Sequence, residues 1–465
     1  MSASTDAARS ATGVLALIGD TPLVQVTHLD TGPCELWLKL ESANPGGSIK
    51  DRIGRSMIDA AEASGALAPG GHIVEATAGN TGIGLALVAA LRGYRLTLVI
   101  PDKMSQEKVL HLKALGARCV LTRSDVGKGH PQHYQDLAQT IARDEGAWYV
   151  NQFENPDNPR AHEETTGPEI WAQTGGRLDA VVCGVGSGGT ITGLSRYFAR
   201  VAPEVQMILA DPVGSVLADY VATGALGAAG SWLVEGIGED FVPPICDLSR
   251  VRRAYSIPDA EAFAIVRQLL RVEGILAGTS SGTLIAAALR WCREQDEPRR
   301  VVTLVCDSGG KYLSKAYNDA WMDEQGLSAR PATGDLRDLV ARRAREGDVI
   351  WVGADDTLSV AYARMRSSDV SQLPVLDGKR LVGIIDESDL LLAALGDATR
   401  GAASFARPVR EVMSLRVETL PPTAGVHQLL PLFDRGMVGI VVDGDELLGL
   451  VTRVDLLNYL RRRAG

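Results

Sequence analysis

The sequence predicts an α/β protein with mostly parallel sheets, followed by a smaller module built from an internal repeat. Three observations carry that expectation. Short apolar runs alternate with helical patterns from about Val14 to Tyr317. Most of these runs are apolar throughout, as expected where helices cover both faces of a sheet. From about Val349 onward, one pattern of strand, Asp-Gly turn, strand and helix occurs twice.

The strand runs include His72–Glu75, Leu96–Ile100, Cys119–Thr122, Ala180–Cys183, Met207–Ala210 and Val301–Val305. A chain of 465 residues exceeds one core, so several domains are expected. Residues 1–12 are small and polar and read as a disordered extension. Residues 13–322 form the α/β core. Residues 323–345 are charged, carry Pro331 and Gly334, and read as a linker. Residues 346–400 and 401–465 are the two repeat copies. Val375–Leu391 aligns without gaps on Val441–Leu457, an offset of 66 residues. Two copies are too few for a solenoid, so they should pair into one pseudo-symmetric domain.

Composition narrows the function. A net charge of −10 and a pI near 5.3 argue against nucleic acid or a membrane surface as partner. No apolar run is long enough to span a bilayer and no secretory signal is visible, so the expected location is cytoplasmic. The six cysteines and seven histidines are dispersed without metal-ligand spacing, and no metal is expected.

One lysine organises the rest. Leu36, Leu38 and Leu40 alternate with Trp37 and Lys39 as in a strand, and Asn44-Pro-Gly-Gly-Ser48 ends it. Apolar residues at Ile49, Ile53, Met57, Ala60 and Ala61 then mark a helix. Lys50 falls in its first turn, where the helix dipole disfavours a cation. Such a lysine is either exposed and tolerated by Asp51 and solvent, or an amine of lowered pKa that forms a Schiff base.

Three further stretches bear on that choice. Glu75-Ala-Thr-Ala-Gly-Asn-Thr-Gly82 links a strand to a helix. It reads as an ordinary βα turn or as a nest for a carboxylate. Cys183-Gly-Val-Gly-Ser-Gly-Gly-Thr190 also follows a strand and lacks the lysine of a P-loop, so a single phosphate is the simplest ligand. Cys306-Asp-Ser-Gly-Gly310 ends the strand Val301–Val305, where Ser308 could cap a helix or meet a ring nitrogen. A Schiff-base lysine, a phosphate cup, a carboxylate nest and a hydroxyl together suit pyridoxal phosphate holding an amino acid.

From about Leu15 to Met322 the chain resembles the fold-type II pyridoxal-phosphate β-family, cysteine synthases and cystathionine β-synthases. Ile18-Gly-Asp-Thr-Pro-Leu23, Asn44–Arg52, Gly79-Asn-Thr-Gly82 and Gly186-Ser-Gly-Gly-Thr190 match its motifs. The resemblance implies two α/β subdomains, with Lys50 holding the cofactor as an imine. It implies that Asn80 bonds the phenolic oxygen, that Gly186, Ser187, Gly188, Gly189 and Thr190 hold the phosphate, and that Ser308 meets the pyridine nitrogen. Thr77, Ala78, Gly79, Asn80 and Thr81, with Gln152, would grip the substrate carboxylate. The family often has serine at Ala78, so one hydroxyl is missing from that loop.

Val234-Glu-Gly-Ile-Gly-Glu-Asp-Phe241 is similar to a segment of the cystathionine β-synthases, and that resemblance implies that Gly236 and Gly238 lie at the substrate. The repeat resembles a pair of CBS domains. Together they imply β-replacement through aminoacrylate, condensing serine and homocysteine to cystathionine and water, with hydrogen sulfide release as a side activity. Sulfide addition to O-acetylserine is the alternative. A non-catalytic nucleotide sensor with a relic core is another. The likeness is to heme-free bacterial forms, since only about a dozen residues without Cys or His precede the core. A homodimer or larger homo-oligomer is expected. In CBS domains a Gly-h-h-Thr/Ser-x-x-Asp junction holds adenosyl ligands. Gly449-Leu-Val-Thr-Arg-Val-Asp455 fits through Thr452 and Asp455, whereas Gly383–Asp389 has Asp386 at the hydroxyl position beside Asp389. S-adenosylmethionine or a nucleoside is therefore favoured over a polyphosphate; otherwise the module serves dimerisation and stability alone.

Overall fold

The computed structural model describes residues 12–77, 79–102, 104, 106–327, 333–340, 349–395 and 405–464. The chain divides into two compact units, Met1–Tyr317 and Asn318–Gly465.

The first unit runs β1 (Leu23–Gln25), β2 (Glu35–Leu40), α1 (Lys50–Ser64), β3 (His72–Ala76), α2 (Asn80–Arg92), β4 (Arg95–Pro101), α3 (Gln106–Ala114), β5 (Arg118–Thr122), α4 (Tyr134–Asp144) and β6 (Trp148–Tyr149). It continues with α5 (Asp157–Ala161), α6 (Gly167–Gln173), β7 (Ala180–Cys183), α7 (Gly189–Val201), β8 (Gln206–Pro212), α8 (Leu217–Thr223), β9 (Val251–Ile257), α9 (Asp259–Glu273), α10 (Thr279–Arg293) and β10 (Arg300–Val305).

These strands form two sheets. The smaller, β5-β4-β3-β6, is parallel throughout. The larger, β1-β2-β10-β7-β8-β9, is parallel except for the β1–β2 pair. Its order places the site. The chain leaves the large sheet after β2, builds the small one, and returns at β7. Strands β2, β10 and β7 are parallel neighbours, so the loops at their carboxyl ends lie side by side. Those loops carry Lys50, Ser308 and Gly186–Thr190.

Strand β3 is fully buried, as its apolar run predicts, and Glu75 is buried within it. Helix α1 buries Ile53, Met57, Ile58 and Ala61 against Ile83, Leu85 and Ala86 of α2. The two helices cross closely. A Cβ on Gly54 would lie 2.6 Å from the Gly84 carbonyl carbon, and one on Gly84 would lie 2.5 Å from Lys50 O. That contact sets the start of α1 beside the start of α2.

The second unit runs α11 (Asp319–Glu324), β11 (Val352–Gly353), α12 (Leu358–Ser368), β12 (Gln372–Asp377), β13 (Arg380–Asp386), α13 (Glu387–Leu395), β14 (Thr419–Leu420), α14 (Leu430–Asp434), β15 (Gly439–Asp443), β16 (Glu446–Val451) and α15 (Arg453–Ala464). Its sheet order is β11-β12-β13-β16-β15-β14, a palindrome of the two copies. The hairpins share a register irregularity, between Val375 and Leu376 and between Val441 and Val442. Leu336, Leu339 and Val340, in the stretch read as linker, are buried with Ala424, Leu429 and Phe433 in the core of the second copy. Charged neighbours mask these apolar residues in the sequence. Residues 1–11, expected as an extension, lie outside the described residues.

Candidate active site

The loop after β2 is stitched to the loop after β10. Ile49 N–H donates to Cys306 O at 2.9 Å, and Ser308 N–H to Gly47 O at 3.1 Å. Lys50 opens α1, its own N–H donating to Ser48 Oγ at 3.2 Å. Burial lowers the pKa of its amine, opposed by the charges of Cys306 and Asp307. Among the described residues no carboxylate pairs with that amine. Asp51 does not offset it at a surface: it is buried, accepts the Gly46 N–H, and burial raises its pKa to about 6. The lowered amine is the arrangement a Schiff-base lysine needs.

The turn after β3 has its side chains already engaged. Thr77 Oγ accepts from the N–H groups of Gly79 and Gly82, at 3.2 and 3.3 Å. Thr81 donates its hydroxyl to Gln152 Oε1 at 2.7 Å, and Gln152 Nε2 donates to Ala76 O at 3.2 Å. The predicted carboxylate residues thus come together, with Ala78 outside the described residues. Asn80 Nδ2 donates to Asp307 Oδ2 at 2.7 Å, and its Oδ1 accepts from Lys311 Nζ at 2.9 Å. Ser308 caps a 3-10 turn, accepting from Gly310 N–H at 3.2 Å.

The loop after β7 is a cradle without room for side chains. Gly188 has φ +87°, and a Cβ there would lie 2.4 Å from Cys246 Cβ. A Cβ on Gly186 would lie 2.6 Å from Gly236 O, and Gly238 N–H donates to Val185 O at 2.8 Å. So Gly236 and Gly238 border this loop. Its backbone amides open α7, with Ser187 and Thr190 beside them. An amine of lowered pKa, this cradle and the turn after β3 fit pyridoxal phosphate through the chemistry of their donors.

Several residues of the site carry no motif. Lys108 Nζ donates to Glu235 at 2.7 Å and to Tyr312 Oη at 3.0 Å, and Tyr312 donates to Asp307 at 2.7 Å. Lys315 pairs with the same Glu235 at 2.7 Å. Burial would raise Glu235, but the two ammonium groups outweigh it and leave its carboxyl below the ordinary value. The Lys108 stem also fills the space beside Gly79, where a Cβ would meet it at 2.6 Å. Glu235 stands 127 residues from Lys108 and 80 from Lys315, so no local spacing signals these pairs.

Glu75 opens the Glu75–Gly82 stretch, two residues before Thr77; it is wholly buried, with Oε2 unpartnered. Burial raises its pKa to about 8, against the amides of Gln152 and Asn151. In the unfolded chain it titrates near 4.5. Its contribution to stability is therefore present below pH 4.5 and is lost as pH rises towards 8. Glu75→Gln should be more stable than the parent at pH 8, by roughly 1–3 kcal/mol, and little different at pH 5. Urea midpoints at both values check this; an equal shift at both would refute the titration.

In the C-terminal unit the two junctions form reciprocal helix caps. Thr452 Oγ donates to Asp455 Oδ2 at 2.7 Å. Asp386 N–H donates to Asp389 at 3.0 Å and Asp389 N–H to Asp386 at 2.9 Å. Among the described residues no cluster could hold a metal ion, and no helix is long and apolar enough to cross a membrane.

The family model described as pyridoxal-phosphate dependent enzyme matches residues 14–307, and the CBS domain model matches 336–396 and 409–462. The chain is 34% identical to cystathionine beta-synthase of Dictyostelium discoideum, over 97% of this chain and 92% of that one. It is 40% identical to cysteine synthase 1 of Neurospora crassa, over 68% of this chain and 86% of that one. A solved hydrogen sulfide-producing enzyme from Fusobacterium nucleatum superposes with TM-score 0.61 at 35% identity, covering 65% of this chain and all of that one.

Proposed function

This chain belongs to the pyridoxal-phosphate dependent enzymes of the cystathionine β-synthase type, and on that premise we propose that its β-replacement joins L-serine to L-homocysteine, giving L-cystathionine and water. The observation that carries the substrate pair is the reach of the likeness. It extends through the Gly236–Phe241 segment and the CBS repeat, over 97% of the chain.

Bound pyridoxal phosphate supplies an electron sink that acidifies the α-proton of the amino acid. The chain's own groups do the rest. The Gly186–Thr190 loop holds the phosphate with backbone N–H groups and two hydroxyls. Asn80 turns its amide to the phenolic oxygen, and Ser308 meets the pyridine nitrogen. Thr77, Gly79, Thr81 and Gln152 hold the substrate carboxylate, with Gly236 and Gly238 lining its approach. Lys50 Nζ, its pKa lowered by burial, takes the α-proton; the serine β-hydroxyl leaves as water with the proton the thiol gives up, the thiolate adds at the β-carbon, and Lys50 returns its proton. In the second CBS copy, Thr452 and Asp455 would turn from one another to the ribose of an adenosyl ligand.

The test is product formation by the purified protein with serine and homocysteine. Cystathionine should appear at a rate above that of cysteine from O-acetylserine and sulfide. The reverse order would make the chain a cysteine synthase with an added CBS pair, a reading favoured by the Neurospora likeness. Hydrogen sulfide release from cysteine and homocysteine is expected as a lesser activity.

A further inference from the structure

The hydroxyls of the Gly186–Thr190 loop are set from beneath by one short stretch. Asn158 Nδ2 lies 2.9 Å from Ser187 Oγ and 2.8 Å from Gln152 O. A carbonyl oxygen only accepts, which fixes the nitrogen of that amide on this side. Ser187 Oγ is then an acceptor towards Asn158, and its own proton is left over. His162 follows one turn later. Its Nε2 lies 3.2 Å from Thr190 Oγ and its Nδ1 3.0 Å from Thr166 Oγ. The stretch is pressed against α7: a Cβ on Gly189 would lie 1.9 Å from Asn158 Oδ1, and one on Gly193 2.8 Å from His162 Cβ.

The ring of His162 is fully buried, and burial, with the charges of Lys50 and Arg52, keeps it neutral. One nitrogen therefore carries the proton, and the two tautomers differ in consequence. With Nδ1–H, Nε2 must accept, and the Thr190 proton is spent on histidine. With Nε2–H, histidine donates to Thr190 and accepts from Thr166, and the Thr190 proton stays available. An anion above the loop needs donors.

We propose that Asn158 and His162 are positioning residues of the phosphate cup, His162 as the Nε2–H tautomer, each donating to a hydroxyl oxygen so that Ser187 and Thr190 present their protons to the phosphate. This rests on Gly186–Thr190 being the phosphate site. It also gives the cup and Gln152 one shared support, since Asn158 holds both.

Two measurements test it. Long-range proton–nitrogen correlation on [15N]histidine-labelled holoenzyme, with His162 assigned by its absence in His162→Gln, should show Nε2 protonated and Nδ1 bare. An Nδ1–H signal overturns the proposal without any variant having to fold. The second is pyridoxal-phosphate affinity of reconstituted apoenzyme. Thr190→Val and His162→Leu should each weaken it about tenfold, the double variant no further, and His162→Gln should recover most of the loss. Additive losses, or an unaffected His162→Leu beside a weakened Thr190→Val, sink the positioning role and leave the phosphate site standing. Unchanged affinity in both Thr190→Val and Ser187→Ala would instead remove the phosphate site itself.

Discussion

Lys50→Ala is expected to abolish β-replacement, lowering turnover by about four orders of magnitude or more. Two roles vanish with one amine. On the proposed function it is both the nucleophile that holds the cofactor and the base that moves the α-proton. Its environment is what makes it competent. Burial lowers its pKa, so a larger neutral fraction exists at a given pH than for an ordinary lysine. The sign follows: below the lowered pKa the amine is protonated and idle, so the rate should climb with pH as it becomes neutral. Lys311 is the neighbouring cation that could be thought to substitute. It is committed elsewhere, donating to Asn80 Oδ1 at 2.9 Å, Gly46 O at 3.0 Å and Gly47 O at 3.2 Å. Borohydride reduction followed by peptide mapping checks the assignment. The parent should carry the pyridoxyl group on the Lys50 peptide and the alanine variant should carry none. Label on Lys311, with turnover retained, would move the catalytic role to that residue.

Lys50 was legible because every local cue agreed: an alternating strand, an Asn-Pro and Gly-Gly break, and a helical period starting at Ile49. The Gly186–Thr190 loop and Ser308 were legible as strand-end turns for the same reason, each following an apolar strand. Their meeting was implied by parallel strands, because such strands put their carboxyl-end loops on one edge. What the sequence hides is partnership over distance. Lys108 and Glu235 stand 127 residues apart and pair only after α3 is laid against the loop before Gly236. Asn158 and His162 look like ordinary residues of a polar helix until the fold sets them under Ser187 and Thr190. Lys39 sits in the alternating strand β2 as a polar residue between leucines, which ordinarily marks a solvent face. It is fully buried, because both faces of that sheet are covered and Glu169 comes from α6 to meet it. The buried leucines at 336 and 339 were hidden by charged neighbours in the same way.

Arg52→Met is expected to cost about 3–5 kcal/mol of stability, the largest loss from a single site outside the apolar core. Arg52 is buried two residues after Lys50 and grips two carboxylates at once. Nε and Nη2 donate to Glu41 at 2.7 and 2.8 Å, while Nη1 and Nη2 donate to Glu169 at 2.7 Å each. Lys39 completes the group, its Nζ 2.7 Å from Glu169 and 2.6 Å from Thr21 O. Removing the guanidinium leaves Glu41, itself fully buried, without its cation, and the uncompensated charge is what destabilises. Lysine should rescue little, since a point charge cannot replace a planar fork facing two carboxylates. The pH dependence gives a second handle. Burial would raise Glu169, but Arg52 and then Lys39 outweigh it and hold its carboxyl at about 2, against 4.5 unperturbed. A depressed carboxyl stabilises above its unfolded pKa, and the contribution is lost as pH falls from 4.5 towards 2. The deficit of Arg52→Met should therefore be full at pH 7 and shrink on acidification below 4.5. Denaturant midpoints at pH 7 and pH 4 measure both. A variant as stable as the parent at pH 7 would mean that the network sets only the position of α1. In that case the loss should surface in turnover, because the same helix end carries Lys50.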